Sequence, residues 1–367
     1  MALTSHVLSK RIAKWRDRAG LSLEDVGAIA GLSVTALAEI EAGKQTVSAA
    51  KFERIARGLG ADPSWLLTDE PAKDVGRNVA RFRSVAGTPL ELVGHDRRLL
   101  GMAAEVGRVG YWLAGELGEP PHLLHPTPTG FAADGKNWLQ GYQLGERARV
   151  SARDDHAPVK SVQGLLESLG IHVAFVSFRT ADIEAAAVWE PKAVPVILLN
   201  KQLERISRVH SRRSVLAHEL CHLLHDASVE TGLLTSVTRS SQESDPAEQR
   251  ANGFSPGFLA PRAWVEEVRE PGALMTLLIT RWGFSVEGAA WHTRNTLRLP
   301  EAEATELMQS HRSMPLARLV ESVARRQDGI RASVSPLMDG LVADRVVEAH
   351  EHDLLSRGRA AELLHFQ

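Results

Sequence analysis

One cysteine, Cys221, stands among 367 residues, so no disulfide within the chain can staple the fold, and a reducing compartment is expected. No run of 18 or more apolar residues occurs, and no membrane-spanning helix is predicted. The opening MALTSHVLSKRIAKW lacks the apolar core that a secretory signal requires. Neither sign of charge dominates: 43 Lys and Arg against 45 Asp and Glu leave a net charge of −2, so any nucleic-acid surface has to be local. Internal repeats and low-complexity tracts are missing as well. These absences predict a cytoplasmic protein without membrane contact. What is present is ordinary for a globular chain, 44% hydrophobic and 24% charged residues, over a length that predicts two or three domains.

Residues 8–67 read as a set of short helices. Ile12 and Trp15 give a partial 3.6-residue period, and Ser22 is placed to cap a helix that turns Val26 and Ala30 inward and stops at Gly31. Ser33 caps the next helix, which faces Leu37 and Ile40 to the core and ends at Gly43. Two helices joined by a tight glycine-containing turn form a helix-turn-helix pattern. With Phe52-Glu53-Arg54-Ile55-Ala56 and Leu59-Gly60-Ala61-Asp62-Pro63 behind it, the stretch 9–68 resembles the Cro/repressor-type helix-turn-helix family. The resemblance implies double-stranded DNA as a partner, with the helix from about Ser33 to Glu41 in the major groove. Ser33, Thr35 and Lys44 are the candidate contacts there. Arg11 and Lys14, from the cluster Lys10, Arg11, Lys14, Arg16 and Arg18, are candidate phosphate contacts. The helix departs from the family in offering Val34, Ala36, Ala38, Glu39 and Glu41 but none of the Arg, Asn or Gln that usually read bases. Residues 1–69 hold nine Lys/Arg against eight Asp/Glu. A protein-docking module is therefore the alternative.

Residues 70–138 read as a helical linker region, with a helix between Leu90 and Leu117 and a stiff connector at Pro120, Pro121, Pro126 and Pro128. No chemistry is assigned to it. From Trp138 to Leu169 two helices are expected, split near Arg153-Asp154-Asp155. Strands at 171–176, 187–189 and 194–199 follow, and Pro195 places the last of them at a sheet edge.

The stretch Ser214 to His225 contains strong helix formers and neither Gly nor Pro. At about 100° per residue, His218 and His222 lie about 40° apart on one helix face, so two imidazoles can reach one metal ion. Glu219 falls beside that face, where a carboxylate can take the proton of an attacking water. Zinc lowers the pKa of its water to about 7, which is why this spacing serves hydrolysis. His-Glu-x-x-His arises by chance in roughly one of twenty chains of this composition, so a third ligand has to be found. Candidates are His225, Glu230, Glu243 and Glu248. His225 lies about 10 Å further along the helix, too far for the same ion, and is left to touch substrate or to suit the helix C-terminus. Glu248 follows Asp245-Pro246-Ala247, where Asp245 reads as an N-cap, Pro246 as the first helical residue and Glu248 as a capping-box acid. Spacing leaves ligand and cap open.

Residues 139–300 resemble the ImmA/IrrE metallopeptidase family of phage and stress-response regulators. The resemblance rests on Val196-Ile197-Leu198-Leu199-Asn200, on Arg213 through His225, and on Glu248-Gln249-Arg250-Ala251-Asn252-Gly253-Phe254 with Leu259-Ala260-Pro261; Phe284 through His292 matches more weakly. It implies a zincin-like domain in which His218, His222 and Glu248 hold zinc, Glu219 is the base, and the strand at 194–199 holds substrate by β-addition. Two histidines and a glutamate are compatible with manganese or iron as well. His292 is expected to be structural or to stabilise the tetrahedral intermediate. Cys221 stands where the family usually has glycine, bordering the metal face, with a thiol open to oxidation. Gly253, Pro256 and Gly257 interrupt the third-ligand helix and predict a break near Ser255. The run Lys201–Arg213, five Lys/Arg and His210 against Glu204, is expected to be a solvated loop.

The expected architecture is α+β and mostly helical: a helix-turn-helix bundle at 1–69, the linker at 70–138, a zinc peptidase domain with a small sheet at 139–300, and a helical C-terminal region at 301–367, with two helices between Asp339 and His365. The expected function is a DNA-associated zinc endopeptidase that cleaves a regulatory protein, a helix-turn-helix repressor or antitoxin, in phage, mobile-element or stress-response control. The alternatives are a transcriptional regulator whose zincin domain only senses or docks, and an antirepressor that acts by binding alone. The oligomeric state is left open, a dimer among the options.

Overall fold

Short polar caps and glycine stops set the N-terminal bundle. In the computed structural model, which describes residues 5–18, 22–59, 66–67, 94–119, 126–226, 234–239, 245–312, 337–338 and 340–364, it comprises α1 (Ser5–Arg18), α2 (Leu23–Ala30), α3 (Val34–Glu41) and α4 (Ala49–Gly58). The Ser33 hydroxyl accepts the Ala36 amide and so caps α3. Gly31 and Gly43 end their helices at φ of 62° and 72°. Ile12, Trp15, Val26, Ala30, Leu37, Ile40 and Ile55 fill the interior. Arg16 grips Glu41 through two bonds of 2.7 and 2.8 Å, so one of the two acids on α3 is neutralised within the bundle.

The rest of the chain runs α5 (Gly94–Glu116), α6 (Asn137–Ala152), α7 (Val162–Ser168), β1 (His172–Val176), β2 (Ile183–Trp189), β3 (Val196–Asn200), α8 (Glu204–Ser207), α9 (Val209–His225), β4 (Leu234–Arg239), α10 (Pro246–Leu259), α11 (Arg262–Val265), α12 (Pro271–Thr280), α13 (Val286–Leu297), α14 (Glu301–Arg312), α15 (Leu341–Glu351) and α16 (Arg357–Leu364). No helix among the described residues is long and apolar enough to cross a membrane.

The sheet has the order β1-β3-β2-β4, with β1 parallel to β3 and β2 antiparallel to both β3 and β4. The expected edge position of the 194–199 strand is therefore wrong: β3 is paired on both sides. Pro195 precedes the ladder, so its missing N–H breaks nothing, and its carbonyl accepts the His172 amide at 2.8 Å. The edges are taken by β1 and by β4, the latter a strand that local patterning did not predict. Alternate strand residues feed two cores. Val173, Ala185, Ala187, Ile197 and Leu199 pack with Leu216 and Leu220 of α9, while Ala174, Val176, Ala186, Val188 and Leu198 share a core with Leu100, Ala103 and Val106 of α5. Burial on both faces is the reason these strands read as unbroken apolar runs.

Helix α5 lies within the expected linker region, yet it is part of the core. Its Gly107 carbonyl accepts the Val194 amide at 2.9 Å, and Asp96 takes the amides of Arg179 and Thr180, each at 2.8 Å. Residues 90–93, the start of the expected helix, lie outside the described residues. The apolar cluster on this face of the sheet continues from α5 into the helix-turn-helix bundle and into α15. His172 on β1 ties in the C-terminal part by donating from Nε2 to the Leu337 carbonyl at 2.8 Å, fully buried.

The basic run at 201–213 is not a solvated loop. It forms α8 and the start of α9, and Arg212 and Arg213 are buried. Arg213 donates to the carbonyls of Val159 and Trp282 at 3.0 and 3.4 Å, and Arg212 donates to Ile206 while its guanidinium lies over the Phe175 ring. The buried Arg213 guanidinium is tolerated because carbonyls from two distant segments accept from it.

Candidate metal centre

Helix α9 presents His218 and His222 one turn apart, and α10 crosses beside it carrying Glu248. His222 Nε2 stands 3.1 Å from His218 Nε2 and 3.4 Å from Glu248 Oε1, and His218 Nε2 is 3.1 Å from Glu248 Oε2. Each imidazole donates its other nitrogen outward: His218 Nδ1 to Asn252 Oδ1 at 3.2 Å, His222 Nδ1 to Asp226 Oδ2 at 2.6 Å. With both Nδ1 protonated, the two Nε2 lone pairs and a carboxylate converge on one point. An arrangement of acceptors without a donor fits a cation, and the donor set of two imidazoles and a carboxylate suits a divalent transition metal. Burial works against charge on Glu248, but His222 and His218 together hold it well below the usual carboxylate range. On His222 burial opposes protonation, and the Glu248 and Glu219 carboxylates together outweigh it and raise the pKa.

At Glu248, where spacing left cap and ligand open, the carboxylate contacts both histidines. Asp245 is the N-cap, accepting the Ala247 amide at 2.8 Å, and Pro246 is the first helical residue, yet the Glu248 carboxylate is drawn to the imidazoles. Glu230 and Glu243, the other acidic candidates, lie outside the described residues.

Glu219 is fully buried, and its Oε1 accepts the Thr238 hydroxyl of β4 at 2.6 Å. Its Oε2 has no partner among the described residues. Burial pushes this carboxyl up, against the pull of His222, His218 and the Thr238 hydroxyl. Thr238, Asp226 and Arg250 were not singled out from sequence. Only Asp226 had a local signal, its place four residues after His222 on the same helical face.

The predicted break of the third-ligand helix does not occur. Helix α10 runs unbroken through Gly253, Pro256 and Gly257 because α6 packs directly on its backbone. A Cβ at Gly253 would stand 1.9 Å from the Trp138 carbonyl oxygen, and one at Gly257 would stand 2.6 Å from that of Tyr142. From the other side, Cβ atoms at Gly141 and Gly145 would lie 2.0 and 2.2 Å from the carbonyl oxygens of Arg250 and Phe254. Tertiary packing overrides the weak intrinsic propensity of these residues.

His225 points away from the candidate ligands. Its Nδ1 is shared by the Thr129 hydroxyl at 3.0 Å and the Thr127 carbonyl at 3.2 Å, and burial lowers its pKa to about 4. The amides of Thr127 and Thr129 in turn bond the Leu224 and His225 carbonyls, so this strap satisfies the last acceptors of α9. Cys221 is fully buried, and burial pushes its thiol up to about 12, which removes the expected liability to oxidation. His292 is buried between the rings of Tyr142 and Phe284, bonded through Nδ1 to the Tyr142 hydroxyl at 3.1 Å, with its pKa lowered to about 4 by burial. It lines a cleft of about 1000 Å³ together with Trp138, Trp291, Ser214 and Asn252, the same Asn252 that holds His218. In the N-terminal bundle, Lys14, Thr35 and Lys44 are exposed. Arg11 Nη1 donates to the Leu66 carbonyl at 3.1 Å, and the Ser33 hydroxyl is occupied in capping α3.

Two family models match parts of the chain. Residues 7–66 match the model of a helix-turn-helix domain, and residues 166–290 match a peptidase-family model described as the IrrE N-terminal-like domain. No curated protein and no solved structure matches the chain.

Proposed function

We propose that this chain, in which a helix-turn-helix domain is joined to an IrrE-like peptidase domain, is a DNA-associated zinc endopeptidase that cleaves a regulatory protein. One observation carries the reading: two imidazole lone pairs and the Glu248 carboxylate converge beside a buried Glu219 that has one uncommitted oxygen. Zinc held by His218, His222 and Glu248 supplies Lewis acidity to water and to the scissile carbonyl; manganese or iron suits the same ligands. Glu219 Oε2 takes the proton of the attacking water and passes it to the departing amide nitrogen. Burial raises its pKa above the usual carboxylate range, which suits a group that must both accept and return a proton.

An extended substrate fits β4 better than β3, because β4 is an edge strand and carries Thr238, the partner of Glu219. The aromatic cleft beside Asn252 has room for substrate side chains. The exposed Lys14, Thr35 and Lys44 are the DNA contacts of this reading, and DNA would bring the peptidase to a bound repressor or antitoxin in the cytoplasm, under phage, mobile-element or stress control. Elemental analysis should find about one zinc per chain, lost in Glu248→Ala. Glu219→Gln should keep the metal and lose proteolysis. Undiminished cleavage by Glu219→Gln would sink the mechanism, and no metal in the wild type after zinc addition would sink the peptidase. The second reading, a docking module at the N-terminus, draws on the half-exposed Val34 beside Thr35 on α3. An absence of any shift with genomic fragments across salt concentrations would favour it.

A further inference from the structure

The third-ligand helix does more than supply Glu248. Two residues on, Arg250 Nη2 donates to Asp226 Oδ1, and Asp226 Oδ2 accepts the Nδ1 proton of His222. The side chains of Asp226 and Arg250 are each 1% exposed. Arg250 Nη1 donates to the Thr129 carbonyl at 2.6 Å, and its guanidinium lies 4.8 Å over the Phe131 ring. The result is a buried chain of charge-assisted bonds running from the strap at 127–131 through Arg250 and Asp226 to one candidate ligand.

We propose that Asp226 and Arg250 are positioning residues of the metal centre: Asp226 fixes the His222 tautomer and ring orientation, and Arg250 fixes and neutralises Asp226. This rests on the metal-centre reading above. Three features carry it. The Asp226 carboxylate is a pure acceptor, so His222 must keep its proton on Nδ1 and turn an unprotonated Nε2 toward His218 and Glu248. A lone carboxylate at this depth would be costly, and the Arg250 guanidinium removes that cost while its second nitrogen is held by Thr129. Arg250 also shares a helix with Glu248, so the same ion pair that orients His222 locks the relative position of α9 and α10, which carry the ligands.

Zinc affinity measured by chelator competition, with the ligand-field spectrum of the cobalt-substituted protein, tests the assignment on the full chain. Asp226→Ala is expected to weaken zinc binding by about 10- to 100-fold and to alter the cobalt bands. Asp226→Asn, which keeps an acceptor but not the charge, should fall between it and the wild type, and it serves if the alanine variant does not fold. Leu278→Ala, in a buried position on α12, is the control for stability alone: it should lower the melting temperature and leave both metal readouts unmoved. Zinc affinity within twofold of wild type and unchanged cobalt bands in both Asp226 variants would overturn this role while leaving the metal centre standing. A wild type that takes up no zinc would overturn both.

Discussion

Adding one methyl group at Gly253 should be among the most damaging small changes available to this protein. The new Cβ would stand 1.9 Å from the Trp138 carbonyl oxygen and 2.7 Å from its carbon, whereas ordinary contact begins at 3.4 Å. Both obstructing atoms are backbone, so no side chain can swing aside. The crossing has to open by 3.4 − 1.9 = 1.5 Å, and the close approaches at Gly141, Gly145 and Gly257 open with it. Two terms oppose each other. Alanine in a helix interior is favoured over glycine by about 1 kcal/mol. Overpacking costs about 1–3 kcal/mol, and a contact between rigid backbones belongs at the upper end. The net effect is a loss of about 2 kcal/mol, or a melting temperature lower by roughly 4–8 °C. Gly101 is the matched control, a helical glycine of α5 whose Cβ would meet nothing within 4 Å; Gly101→Ala should raise the melting temperature slightly. Thermal unfolding of the two variants beside the wild type decides the matter. If Gly253→Ala melts at or above the wild type, the α6–α10 crossing is not as tight as described. Glu248 rides on the same helix, so zinc affinity should fall in Gly253→Ala as well.

Thr238→Val removes a hydrogen bond that lowers the pKa of Glu219. The base acts in its ionised form, so the acid limb of the rate profile should move to higher pH; a limb that stays in place would show that Thr238 does not tune the base. Arg213→Met leaves the Val159 and Trp282 carbonyls without their buried donor, and urea unfolding should register a loss of about 3 kcal/mol. A loss under about 1 kcal/mol would mean that water replaces the guanidinium. His172 has a folded pKa of about 4, lowered by burial from 6.5, so its contribution to stability is present above pH 6.5 and is lost as pH falls toward and through 4. The amount is roughly 3 kcal/mol. His172→Gln should flatten the dependence of the urea midpoint on pH across that window, and an equal slope in variant and wild type would refute the assignment.

Much of the fold and of the candidate metal centre was readable from local sequence. Ser33 as the cap of α3, Asp245 and Pro246 at the start of α10, and the one-turn spacing of His218 and His222 all depend on atoms within a few residues, where backbone geometry is the same in any protein. The apolar run at 194–199 announced a strand. It did not announce where the strand sits, because the partners of β3 are β1 and β2, which chain order alone does not assign. Spacing left Glu248 between cap and ligand, and its carboxylate reaches the imidazoles only because α10 packs beside α9.

Three outcomes belonged to tertiary structure alone. Gly253, Pro256 and Gly257 favour a broken helix by intrinsic propensity, and the close backbone of α6 keeps the helix whole. The basic run at 201–213 suits solvent by its charge, but Arg212 and Arg213 are buried, and Arg213 lies against carbonyls that other segments deliver. Asp226 and Arg250 acquire a role only because two helices and a strap meet at one buried point. Capping and the one-turn spacing of the histidines are short-range and were settled by the sequence itself. Burial, hydrogen-bond satisfaction and ion pairing depend on what distant segments place against a side chain, and the assembled fold alone determines that.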